Sequence, residues 1–138
     1  MPNLVFLSRP NAEEVDQIIA LYREAGWWTD GGDAPDLVAR LVAGSHCFVA
    51  AYKEDRLVGM GRAISDRASD AYIQDVTVTE AFRGQGIGAR IVNCIVDRLR
   101  ADGLSWIGLI AEENSAAFYA PLGFSPMADA MPLLRKDP

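Results

Sequence analysis

Between the β-branched stretch Val76-Thr77-Val78 and the most clearly amphipathic stretch of the chain stands Arg83-Gly84-Gln85-Gly86-Ile87-Gly88. Three glycines so close together cost helix propensity, so their place at the mouth of a helix needs a physical reason. Without Cβ atoms the backbone N–H groups can approach an anion closely, and the helix N-terminus adds unpaired donors and a positive dipole end. Arg83 adds a full charge, and the segment is read as a diphosphate cradle. Behind it, Ile87, Ile91, Val92, Ile95, Val96 and Leu99 recur at helical spacing, with Arg90, Asp97, Arg98 and Arg100 on the other side, so a helix runs over Gly86–Ala101. A strand feeding such a loop and helix calls for a crossover to a neighbouring parallel strand, which restricts the chain to an α/β arrangement.

Two common phosphate motifs do not account for the cradle. No Gly-Lys-Ser/Thr closes the segment, which removes the P-loop. Gly84, Gly86 and Ala89 fit the dinucleotide fingerprint, with Glu112 and Glu113 downstream, yet Thr79-Glu80-Ala81-Phe82-Arg83 separates strand from glycine and the preceding strands form hairpins.

Along the chain, Asn3–Ser8 reads as a strand, and Asn11 with Glu14 forms a capping box before a helix carrying Val15, Ile18, Ile19 and Tyr22 to a stop at Gly26. Trp27 to Pro35 is a glycine- and aspartate-rich loop with two adjacent tryptophans that a linker would not need, and a short helix then runs to Gly44. Ser45–Tyr52, Leu57–Ile64 and Ala71–Thr79 read as an antiparallel meander. After the amphipathic helix come a strand over Leu104–Ile110, a helix over Asn114–Leu122 and an extended segment from Gly123 to about Leu134. The expected fold is mixed α/β on one sheet, in the order β-α-α-β-β-β-α-β-α-β.

The 138 residues form one domain, 1–138, large enough to bury a core without disulfides or structural metal. With 13 basic and 19 acidic residues the net charge is −6, so the chain lacks the electrostatic footprint of a nucleic-acid binder, and its field suits a small cation. Cys47 and Cys94 lack metal-ligand spacing, and His46 has no second ligand at motif spacing and reads as structural, so no metal site is expected. No apolar run approaches the roughly 18 residues of a membrane helix or reads as a signal peptide. A cytoplasmic protein without membrane partners is the expectation.

Arg83, Gly86 and Gly88 also fit the pattern Arg/Gln-x-x-Gly-x-Gly/Ala, and Asn114-Ser115-Ala116-Ala117-Phe118-Tyr119 with Leu122-Gly123-Phe124 supplies a second motif. In both motifs and in element order the chain resembles the GCN5-related N-acetyltransferases, most closely their small branch of plastid and cyanobacterial arylalkylamine acetyltransferases. The resemblance implies the acyl-CoA N-acyltransferase fold and acetyl-CoA as cosubstrate. Backbone groups of Val76, Thr77 and Val78 would pair with the pantetheine arm, and N–H groups of Gly84, Gln85, Gly86, Ile87 and Gly88, with Ala89, would hold the pyrophosphate. Asn114 would hydrogen-bond the arm, and Phe118 would either pack on the cofactor or belong to the core.

The same resemblance puts Tyr119 near the thioester sulfur as proton donor. Full transfer from a tyrosine to a thiolate is uphill by about 1.5 pK units, or about 2 kcal/mol, so Tyr119 would act largely through a hydrogen bond. The base is open. Tyr72 and Gln74 stand where family members often carry one and would line the acceptor pocket instead. Asp75 is the adjacent carboxylate, but strand alternation turns it away from the cleft if Gln74 faces in. Asp75 as base, Asp75 as structural partner and a water relay all remain. Trp27 and Trp28 either line the acceptor pocket or pack helix against sheet. The expected activity is direct acetyl transfer to a small primary amine, the alternatives being a peptide or protein amine and a non-catalytic acyl-CoA sensor. A strand at Met131–Leu134 would pair across a homodimer.

Overall fold

The computed structural model describes residues 1–29 and 35–137; residues 30–34 of the loop after Trp28 lie outside them. The elements are β1 (Asn3–Phe6), α1 (Ala12–Glu24), α2 (Pro35–Gly44), β2 (Cys47–Lys53), β3 (Arg56–Ser65), β4 (Asp70–Val78), α3 (Ile87–Ala101), β5 (Trp106–Leu109) and α4 (Ala116–Tyr119), with 3₁₀ turns at Glu80–Phe82 and Ala120–Leu122. The sheet runs β1-β2-β3-β4-β5, antiparallel as far as β4 and parallel between β4 and β5.

Strand alternation sorts the core into two layers. On β2, Cys47, Val49 and Ala51 meet Ile87, Ile91, Val92, Ile95 and Leu99 of α3, while Phe48 and Ala50 meet Val15, Ile18, Leu21 and Tyr22 of α1 with Val38 and Val42 of α2. α3 lies close to the sheet because Gly61 lacks a side chain: a Cβ there would come within 2.7 Å of Ile91. The capping box of α1 forms as expected, Asn11 accepting from the Glu14 N–H and Glu14 from the Asn11 N–H. His46 is a structural pin. Its Nδ1 meets Ser65 Oγ at 2.7 Å and its Nε2 meets Asp102 Oδ2 at 2.8 Å, joining the ends of β3 and α3.

The structure departs from the sequence-based order at two places. The expected final strand is absent among the described residues: Gly123 to Asp137 forms no strand, and Met131, Leu133 and Leu134 are at least 77% exposed. Pro126 and Pro132 each remove a ladder donor, and Asp129 has φ 54°, all of which oppose a continuous strand. The second departure is a bulge in β4. Arg62 faces Gln74 and Met60 faces Thr77, so Gly61 alone opposes both Asp75 and Val76, and Asp75 takes φ 58°.

Candidate active site

The bulge shapes the site. Parallel pairing between β4 and β5 ends at Ile73–Leu109, and from Gln74 onward the β5-facing edge of β4 is unpaired. At this opening lies a cleft of about 630 Å³, lined by β4 from Tyr72 to Thr77, by Leu109 and Ile110, by Glu112, Glu113, Ser115 and Tyr119, and by Glu24, Ala25, Trp27 and Arg83. It sits at the carboxyl ends of the parallel pair β4 and β5, where open α/β sheets bind ligands. A hollow of about 680 Å³ beside α1 and the β2–β3 turn is lined by Asn11, Glu14, Gln17 and Tyr52. There Asn11 and Tyr52 bond to Glu14, and Gln17 bonds to the Leu57 N–H, so its polar groups serve the fold.

The glycine loop has the geometry of an anion cradle. Gly84 and Gly86 take φ of 76° and 82°, and nothing lies within 4 Å of where a Cβ would project from either. The first N–H groups of α3 follow directly, with no intrahelical acceptor of their own. Gly88 packs on Phe118, whose Cζ would lie 3.2 Å from an added Cβ. Phe118 is therefore not core: it is 40% exposed and closes over the first turn of α3. Arg83 is partly committed. Its Nε donates to the Val78 carbonyl at 2.8 Å, and its Nη2 lies 3.5 Å from Glu24 Oε2. Glu24 accepts from the Thr79 hydroxyl at 2.7 Å and the Glu80 N–H at 2.9 Å, tying the end of α1 to the turn that leads into the cradle.

Of the residues read from sequence, Trp27, Tyr72, Gln74, Asp75, Val76, Thr77, Arg83 and Tyr119 line the cleft, whereas Val78, residues 84–89, Trp28, Asn114 and Phe118 stand outside its lining. Tyr72 is 45% exposed beside Trp106, ring centroids 5.1 Å apart, and Gln74 accepts from Arg62 Nη2 at 3.3 Å. The tryptophans divide: Trp28 stacks on Tyr22 at 4.0 Å and packs on the α1 core, while Trp27 meets Tyr22 edge-on and lines the cleft. Tyr119 is half-buried between Phe118 and Phe124, and burial, then the Glu112 charge, pushes its hydroxyl above the ordinary tyrosine range. Asn114 is exposed and outside the cleft lining, where its neighbour Ser115 stands instead.

Simple alternation fails at Asp75. Because of the bulge, Gln74 and Asp75 both line the cleft. Asp75 Oδ2 accepts from the Tyr22 hydroxyl and from Arg62 Nε, each at 2.7 Å. Tyr22, Arg62, Glu24, Glu112 and Glu113 were not assigned to the site from sequence. For Tyr22 the only signal was a polar tip on the apolar face of α1.

Comparisons with known proteins agree with this geometry. A chloroplastic GCN5-related N-acetyltransferase 2 of Arabidopsis thaliana is 40% identical over 72 residues, 52% of this chain and 28% of the relative. A chloroplastic serotonin N-acetyltransferase 2 of Oryza sativa is 37% identical over 76 residues, 55% of this chain and 38% of the relative. The aligned stretches thus span well under half of these relatives. A solved Staphylococcus aureus protein of unknown function superposes with a TM-score of 0.82 at 24% identity, covering 99% of this chain and all of that one, and shows the fold. The cytoplasmic expectation is overturned by the relatives, whose names place them in the chloroplast. The sequence profile of the acetyltransferase (GNAT) family matches residues 10–124, and the chain belongs to that family.

Proposed function

We propose that this chain is an acetyl-CoA-dependent N-acetyltransferase that moves the acetyl group directly to a small primary amine. The observation that carries the reading is the edge of β4 from Gln74 to Thr77, which has no partner on the β5 side and runs from a cleft toward a glycine cradle at a helix N-terminus. A pantetheine arm can add to such an edge as an extra strand, while the N–H groups of Gly84 to Gly88 hold the pyrophosphate. Acetyl-CoA supplies a thioester whose C–S bond breaks as the amine forms the new C–N bond. In this reading the Val78 N–H polarises the thioester carbonyl and the Tyr119 hydroxyl donates a hydrogen bond to the departing thiolate. Neither cysteine lines the cleft, in keeping with direct transfer.

Trp27, Tyr72 and Gln74 form the acceptor side, with Glu112 and Glu113 adding negative charge. Aromatic faces beside carboxylates suit a small amine carrying an aryl group, the class named by the rice relative. Asp75 has one oxygen held by two donors, which favours its role as structural partner, and the amine proton then leaves to cleft water. Acetyl-CoA binding by calorimetry, followed by thiol release against a panel of amines, tests the reading. Binding with turnover on an arylalkylamine is expected. Turnover on peptide amines alone would move the acceptor class, binding without turnover on any amine would favour a sensor, and no binding would overturn the proposal.

A further inference from the structure

Asp75 holds a backbone conformation that side-chain-bearing residues rarely adopt, φ 58°, in the strand that borders the cleft. Such a conformation persists only where its surroundings fix it, and two donors do so here. Tyr22 of α1 and Arg62 of β3 both donate to Oδ2 at 2.7 Å, from opposite sides of the layer boundary between helix and sheet. Arg62 spends its other donors close by, Nη2 on Gln74 Oε1 at 3.3 Å and Nη1 on Ser45 Oγ at 3.4 Å. Burial and the Asp75 charge push the Tyr22 hydroxyl well above the ordinary tyrosine range, so it stays a donor. The bulge they fix coincides with the loss of pairing between β4 and β5 after Ile73, which exposes the edge of the cleft. The Tyr22 ring also carries the tryptophan pair, Trp28 stacked at 4.0 Å and Trp27 edge-on at 6.0 Å.

We infer that Tyr22 and Arg62 are positioning residues that brace the Asp75 bulge, and that Tyr22 ties the Trp27 wall to it, so that the acceptor side and the free edge of β4 are set as one unit. The inference rests on the acetyl-transfer reading for its kinetic consequence but not for its structural one. Tyr22→Phe removes one hydroxyl and keeps the ring under both tryptophans. It is expected to speed amide hydrogen exchange at residues 74–78 at least tenfold while leaving the amides of α3 unchanged. In turnover it is expected to lower kcat about tenfold and weaken acetyl-CoA binding severalfold, with the acceptor KM within about twofold. Tyr22→Leu also removes the stack and is expected to raise the acceptor KM.

Because both donors share one oxygen, Tyr22→Phe combined with Arg62→Met is expected to cost little more in kcat than the worse single change. Exchange at 74–78 unchanged in Tyr22→Phe would overturn the brace. So would a variant with a lowered Tm but wild-type kcat and acetyl-CoA affinity, or independent multiplicative effects in the double variant. A wild-type protein that fails to bind acetyl-CoA would refute acetyl transfer, and the exchange measurement would still decide the brace on its own.

Discussion

In the proposed reaction Tyr119 donates a hydrogen bond to the leaving thiolate, and its surroundings suit that role. A hydrogen-bond donor to a leaving thiolate must keep its proton while the acceptor amine loses one, and an amine of pKa near 10 is only about 0.1% neutral at pH 7. Burial and the nearby Glu112 charge raise the Tyr119 pKa, so its donor form persists above the pH at which an ordinary tyrosine begins to ionise. With water as proton acceptor, kcat/KM should climb about tenfold per pH unit below the amine's pKa. A plateau near the pKa of a carboxylate would instead show a protein base. Tyr119→Phe should lower kcat by roughly 100-fold with acetyl-CoA affinity unchanged, the lower end of the roughly 10²–10⁴-fold that a positioned proton donor contributes. Equal turnover would remove Tyr119 from the reaction. Glu112→Gln removes a charge that raises the Tyr119 pKa, so the alkaline fall in kcat should move to lower pH. The place of Tyr119 at the cleft and the positive-φ turn of Gly84 and Gly86 were legible in sequence because their signals are local motifs. Tyr22, Arg62 and Glu24 were not, since each acts through a partner far along the chain, and only the tertiary structure supplies that partner.

The same distinction holds for whole elements. The β2–β3–β4 meander and α3 follow from period and turn chemistry, and they formed close to the expected bounds. Strand alternation assumes one residue opposite one and so carries no signal of the bulge, and the apolar residues of the C-terminal segment suggest a strand that Pro126 and Pro132 prevent. Two element-scale consequences are measurable. Asp66 gathers the turn between β3 and β4, its Oδ1 accepting from the N–H groups of Ala68, Ser69 and Asp70, and these bonds hold its carboxyl far below the usual range. A depressed folded pKa contributes stability above the unfolded carboxylate pKa of about 3.9 and loses it as pH falls toward the folded value. Asp66→Ala should therefore lower Tm at pH 7, with a gap to wild type that narrows as the pH drops below about 4. A gap equal at both pH values would show that the turn does not depend on the ionised form. At the mouth of α3, Gly86 caps the helix with φ 82°. Gly86→Val should cost about 1–2 kcal/mol in stability from the left-handed conformation and also place a side chain in the open space before the cradle, weakening acetyl-CoA binding. Unaltered affinity in calorimetry would refute the cradle.

At the scale of the molecule, two helical layers clamp one sheet, and the cleft lies where that sheet changes from antiparallel to parallel pairing. The chain surrounding it carries a net charge of −6. Of the charged groups lining the cleft, Arg83 contacts Glu24 and Asp75 pairs with Arg62 behind it, which leaves Glu112 and Glu113 as the exposed carboxylates near Tyr119. Local and global fields therefore have the same sign at the acceptor side, and both should draw an ammonium ion inward. In the proposed reaction acetyl-CoA, an anion, would meet the global field as a repulsion, offset near the cradle by Arg83 and the N-terminal end of α3. Raising ionic strength from about 0.01 to about 0.15 M shortens the screening length from about 30 Å to about 8 Å, which removes the global contribution first. The value of kcat/KM for a cationic amine should then fall severalfold at saturating acetyl-CoA, with kcat little changed, because steering acts on encounter and not on the bound complex. An acceptor of the same size with a carboxylate beside its amine should lose less or gain over the same range. If the cationic amine shows a flat or rising kcat/KM, its ammonium is not held by this field, and the selectivity of the cleft must come from the aromatic wall of Trp27 and Tyr72 alone.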